Sequence, residues 1–110
     1  MVILDLNNFW SPSGGGVRRY HLEKMAHYKD RTDVRLVFVM PDKRRYTEYP
    51  GPGLVIEHVS ALKIPGHWDY RFIWNPRLIR TLIRKHEPDI VEVGSPYWLP
   101  VAVRWVTWGL

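Results

Sequence analysis

The sequence predicts an α/β fold: a doubly wound, mostly parallel Rossmann-like sheet with helices on both faces. Three observations lead there. Apolar runs recur at Val2 to Leu6 and Val34 to Met40, whose nearly continuous apolar character suits parallel strands buried on both faces, and Asp89 to Val93 gives a further strand. Segments with apolar residues at helical spacing lie between them. The first run also opens into Ser11-Pro12-Ser13-Gly14-Gly15-Gly16-Val17-Arg18-Arg19-Tyr20, a glycine turn ahead of a helix.

In chain order, Val2 to Leu6 is the first strand, and the chain then loops through Asn7 to Gly16. A helix is expected from Val17 to about Asp30, with Val17, His21, Met25 and Tyr28 on one face and Leu22 at its border. His21 falls inside that apolar stripe, where a packed histidine is the expectation. Val34 to Met40 is the second strand, closed by Pro41-Asp42. Lys43 to Gly53 is rich in charge, proline and glycine and reads as a solvated loop. Leu54 to Val59 alternates and gives a third strand.

The next stretch is irregular around Pro65-Gly66-His67-Trp68-Asp69-Tyr70, and its His67/Asp69 pair has no recognisable metal spacing. Asn75-Pro76 starts a helix with a capping residue followed by proline at the first helical position. Leu78, Ile79, Leu82, Ile83 and His86 share its inner face, while Arg77, Arg80 and Arg84 point away. Pro88 stops it. Asp89 to Val93 is the fourth strand, in the expected order 3-2-1-4. After Gly94-Ser95-Pro96 a last, almost wholly apolar helix is expected to run through about Trp108. Such a helix demands burial on most sides. We therefore expect residues 1–110 to be the front part of a longer domain, cut before a fifth strand, or to self-associate through Trp98, Trp105 and Trp108.

The glycine turn carries the chemistry. Glycines 14–16 lack a Cβ, so a ligand can approach their amides closely, and the helix behind adds free N–H groups and the positive end of its dipole. A phosphate or a polar sugar edge suits such a turn; a tight turn that binds nothing is the alternative. Neither familiar nucleotide motif fits. The dinucleotide pattern needs glycine where Arg19 stands, and a phosphate-binding P-loop needs Gly-Lys-Ser/Thr where Gly16-Val17-Arg18 stands. Arg18 and Arg19 sit where the dipole disfavours cations, which makes them candidate anion contacts.

The chain has 110 residues, the size of one domain, and no cysteine, so disulfides, thiolate nucleophiles and cysteine metal sites are excluded. Its net charge of +5 favours anionic partners: a phosphorylated ligand, an anionic membrane or nucleic acid. No signal peptide or membrane-spanning run is visible, and a cytoplasmic location is expected.

Two stretches resemble the N-terminal domain of GT-B fold glycosyltransferases, particularly the retaining family 4. One is Asn8-Phe9-Trp10-Ser11-Pro12 with the Gly14-Gly15-Gly16-Val17-Arg18 turn. The other is Glu87-Pro88-Asp89-Ile90-Val91-Glu92-Val93-Gly94-Ser95-Pro96-Tyr97, a Pro-Asp-led strand with a Ser-Pro-Tyr exit. The resemblance implies the acceptor-side domain of an enzyme that takes a sugar from a nucleotide-diphosphate donor. It implies that Gly14, Gly15 and Gly16 face the diphosphate and sugar, and that Phe9, Trp10, Ser95 and Tyr97 lie on the acceptor side. It further implies a sugar or lipid acceptor, a C-terminal partner domain, no metal or other cofactor, and no catalytic residue within residues 1–110. Peripheral contact with the inner membrane face is compatible with that picture, while nucleic acid is disfavoured. The competing expectation is a non-catalytic basic α/β module that binds a phosphorylated ligand, nucleic acid or anionic membrane.

Overall fold

The structure is a computed structural model that describes residues 1–7, 16–60, 62–63, 71–72, 76–93 and 104. In chain order these form β1 (Val2–Leu6), α1 (Gly16–Tyr28), β2 (Arg35–Asp42), β3 (Tyr46–Gly51), β4 (Leu54–Ser60), β5 (Leu62–Lys63), β6 (Arg71–Phe72), α2 (Pro76–His86) and β7 (Ile90–Val93). The main sheet has five strands in the order β3-β4-β2-β1-β7. The β4-β2-β1-β7 part is parallel throughout, in the order expected from sequence. The two-residue strands β5 and β6 pair separately, with Leu62 opposite Phe72.

The pleat sorts the apolar runs onto two faces. Leu4, Leu6, Val37, Val39, Val55 and Val59 point to one side and pack with Ile79, Leu82 and Ile83 of α2. Ile3, Leu36, Phe38, Met40 and Leu54 point to the other and meet Met25 and Tyr28 of α1. The sheet is therefore covered on both faces, as doubly wound folds are. Phe38 is fully buried at its centre, and burial of one such side chain is worth about 1.5–3 kcal/mol.

The two helices cover their faces differently. α2 buries three aliphatic side chains and exposes Arg77, Arg80 and Arg84, following its apolar spacing. It ends where Glu87 takes a left-handed φ of 46° and its amide bonds to Ile83 O at 2.9 Å, just before Pro88. Over residues 19–28, α1 buries His21 and Met25, with Tyr28 and Lys24 half-buried and Leu22 exposed. Of the expected last helix only Arg104 lies within the described residues, exposed and helical. Trp98, Trp105 and Trp108 lie outside them.

One expectation is corrected. The supposed loop from Lys43 to Gly53 contains β3, an antiparallel edge strand paired to β4 through Tyr46↔His58, Thr47↔Glu57 and Glu48↔Ile56. Tyr46 and Glu48 face one side and Thr47 the other, where they find His58 and Glu57. Pro50 is tolerated because an edge strand needs only one side of its ladder, and the pairing shifts register between Glu48 and Gly51.

Candidate functional site

The candidate site lies at the carboxyl ends of β1 and β7. In an open α/β sheet a ligand binds outside the carboxyl ends, where strand order reverses direction. Here that point lies between the first strand and the last, with Leu6 in register beside Val93. The glycine-turn segment leaves the sheet after Asn7, and the Gly94-Ser95-Pro96-Tyr97 segment leaves after Val93. The two departure points are therefore neighbours.

Asn7 is anchored at its exit. It is 3% exposed, its backbone amide donates to Val39 O at 3.2 Å, and its side-chain amide donates to Asp5 O at 3.3 Å and Val39 O at 3.4 Å.

Beside it lies an ionic group that sequence reading missed. Asp5 of β1 and Glu92 of β7 are register partners, and Lys24 of α1 reaches both, at 3.0 Å and 2.5 Å. Asp5 is 3% exposed, and a buried carboxylate at that depth requires a partner. Burial works against the Lys24 ammonium, but its bonds to Glu92 and Asp5 outweigh that and raise its pKa. The group thus ties the helix behind the glycine turn to both strands that deliver the motif segments.

Gly16 is the first residue of α1, and Arg18 and Arg19 lie in its first turn. The Arg19 Nε is 3.2 Å from Glu23 Oε1, an exposed i,i+4 pair. Such pairs are worth about 0.3–0.5 kcal/mol. The Arg18 side chain, together with Gly14, Gly15, Phe9, Trp10, Ser95 and Tyr97, lies outside the described residues. His21 packs as its place in the stripe implied, edge-on to Phe38 at 5.0 Å.

Two further polar groups lie along β3 and β4, the first of them at the carboxyl ends of β2 and β4. His58 has Asp42 Oδ2 at 2.9 Å from Nδ1 and Glu48 Oε1 at 2.6 Å from Nε2, while Tyr46 stacks on its ring at 3.8 Å. Asp42 also accepts from the Lys43 amide at 2.6 Å and the Tyr46 hydroxyl at 3.4 Å. Burial would raise its carboxyl, but the Lys43 amide and His58 hold it below the usual range. An acid that takes a ribose in a dinucleotide site needs open acceptor positions, and those of Asp42 are engaged. On the opposite face the 2%-exposed Glu57 accepts from Thr47 and Lys85, with His86 Nε2 at 3.6 Å. Among the described residues, no His, Cys, Asp or Glu group is arranged to hold a metal ion, and no helix is long and apolar enough to cross a membrane.

Burial pushes both His21 and His86 below their ordinary value of 6.5. Between their folded-state pKa values and 6.5, the unfolded chain holds more protons than the folded one, so stability rises with pH. Their contribution is complete above 6.5 and is lost as pH falls through the folded values. The urea midpoint is therefore expected to drop between about pH 7 and pH 5, before carboxylates such as Glu57 and Asp42 begin to protonate. A midpoint unchanged over that interval would contradict the histidine contribution.

No known family model, curated protein or solved structure matches the chain. The fold and the geometry around β1 and β7 carry the functional reading.

Proposed function

We propose that this domain is the acceptor-side part of a retaining glycosyltransferase that moves a sugar from a nucleotide-diphosphate donor to a sugar or lipid acceptor. The observation that supports it most is the register of β1 with β7, which sets Leu6 beside Val93. Both motif-bearing segments leave the sheet there, at the point where α/β sheets bind ligands. The amides of Gly14, Gly15 and Gly16 face the donor diphosphate and sugar, with Arg18 and Arg19 as flanking cations. Phe9, Trp10, Ser95 and Tyr97 form the acceptor side. A second, C-terminal domain of a longer protein holds the nucleotide, and the groups at the reacting centre lie outside residues 1–110, so these residues alone are not expected to turn over.

The test is donor turnover by the protein that carries this domain, followed as nucleoside diphosphate release from a panel of nucleotide sugars. Gly15→Val is expected to lower turnover by about 100-fold or more, the scale of losing preorganised donors at a developing charge. The β-branched side chain both blocks close approach and resists φ > 0. Full turnover in a folded Gly15→Val protein excludes the turn as a ligand cradle, and no release from any donor overturns the transferase reading.

A further inference from the structure

Glu57 places a charge in the apolar layer between the sheet and α2. It stands between Val55 and Val59 on β4, on the face that Ile79, Leu82 and Ile83 cover. An apolar side chain would close the layer without ionic cost, and such replacements are often neutral or stabilising. The carboxylate present instead has one cation within hydrogen-bond reach and a second basic group just beyond it. Oε1 accepts from the Thr47 hydroxyl and from Lys85 Nζ at 3.2 Å. Oε2 has Lys85 Nζ at 3.5 Å and His86 Nε2 at 3.6 Å. That ring nitrogen is buried and has no hydrogen-bond partner among the described residues.

We infer that His86 is a proton switch that exchanges the cation on Glu57, taking the carboxylate for itself in acid and releasing Lys85 to solvent. At neutral pH an uncharged His86 leaves Lys85 and Glu57 balanced one to one. The imidazolium carries an N–H on both ring nitrogens, so Nε2 gains the donor that Oε2 accepts. It forms in the last turn of α2, where the helix dipole favours a cation. Burial holds the ring below its ordinary value; Glu57 of β4 pulls the other way, while Lys85 of α2 and Arg35 of β2 repel the proton. The rest of the layer, Leu4 and Leu6 of β1, Val37 and Val39 of β2, and Val91 and Val93 of β7, is aliphatic.

Once His86 is charged, two cations compete for one buried carboxylate. The His86 side chain is 8% exposed and fixed in the layer, whereas that of Lys85 is 42% exposed on a flexible stem that reaches water. The lysine is the one that leaves. Thr47 stays, because it bonds the other oxygen. Burial would raise the Glu57 carboxyl, but its bonds from Thr47 and Lys85 hold it below the usual range. The exchange therefore operates below 6.5 and above the range where Glu57 takes its own proton. A surface cation paired at neutral pH is presented free in acid, and this holds independently of the sugar-transfer reading.

The experiment is an NMR titration of the full chain from about pH 7.5 to about pH 4.5, following the His86 ring, the Lys85 ammonium and Thr47. Below the His86 midpoint, the Lys85 ammonium protons are expected to exchange with water about 10-fold faster than in His86→Gln at the same pH. That is the protection lost with a charge-assisted hydrogen bond. Thr47 is expected to keep its bond throughout. Lys85→Met removes a repelling cation and moves the His86 midpoint to higher pH; Glu57→Gln removes the attracting carboxylate and moves it lower. Both variants read the ring itself, so they decide the question even where His86→Gln fails to fold. A Lys85 ammonium that stays protected below the midpoint overturns the exchange, as does a His86 midpoint indifferent to both variants. Displacement of Thr47 with Lys85 retained overturns the lysine as the group that leaves.

Discussion

Lys24→Met is expected to destabilise the domain by about 3 kcal/mol, lowering its melting temperature by roughly 10 °C. The substitution keeps most of the side-chain volume and removes only the charge. It leaves the Asp5 carboxylate, 3% exposed in the middle of the sheet, without its cation. Breaking a buried pair on one side costs about 3–5 kcal/mol, and the partial exposure of Lys24 and Glu92 places this case at the lower end. Asp5→Asn/Lys24→Met should recover much of the loss, because an amide costs less to bury than an unpaired carboxylate. Urea unfolding of the three variants checks this. A Lys24→Met protein as stable as the parent would show that water, not the ammonium, satisfies Asp5.

Gly53→Ala is expected to cost a similar amount, about 3 kcal/mol, by overpacking. A methyl group there would lie 2.1 Å from Tyr28 O and 2.5 Å from Arg31 O, backbone atoms of the last residue of α1 and of the turn that follows it. Gly53 N donates to Lys29 O at 3.0 Å, and Gly53 O accepts from Leu36 N at 2.8 Å, so the turn cannot retreat without losing hydrogen bonds. Gly51→Ala should cost less. Its new methyl would also be 2.3 Å from a backbone oxygen, of Lys29, but Gly51 is half-buried and another of its close neighbours is the flexible Lys29 side chain. Thermal melts of the two variants decide it. A Gly53→Ala protein within the range of ordinary surface substitutions would mean that the hairpin slides freely over α1.

The parallel part of the sheet was legible because its strands are short, mostly apolar segments set between loop and helix signals, and α2 because Asn75-Pro76 and the Ile79/Leu82/Ile83 spacing agree. β3 was not. Its residues are mostly polar and its prolines signal a loop, yet Tyr46 and Thr47 are good strand formers that pair along β4. The crevice was half legible. Two motif segments could be assigned to neighbouring strand ends from topology alone. The ionic group between them could not, because Lys24 and Glu92 lie 68 positions apart and neither belongs to a motif. The lone Asp5 within an apolar strand was the signal: a charge at such a position needs a partner from another element.

The place of β1 also sets the order in which the chain can assemble. β1 is an interior strand, with Leu4 beside Val37 on one side and Val91 on the other. Its second neighbour lies far along the chain, and the Val2–Asp89 hydrogen bond closes a separation of 87 positions. Until then β1 presents a hydrophobic strand with one unpaired edge, the kind of edge that recruits other chains. Chains that stop short of Ile90 leave that edge open and are expected to aggregate more readily than the full sheet.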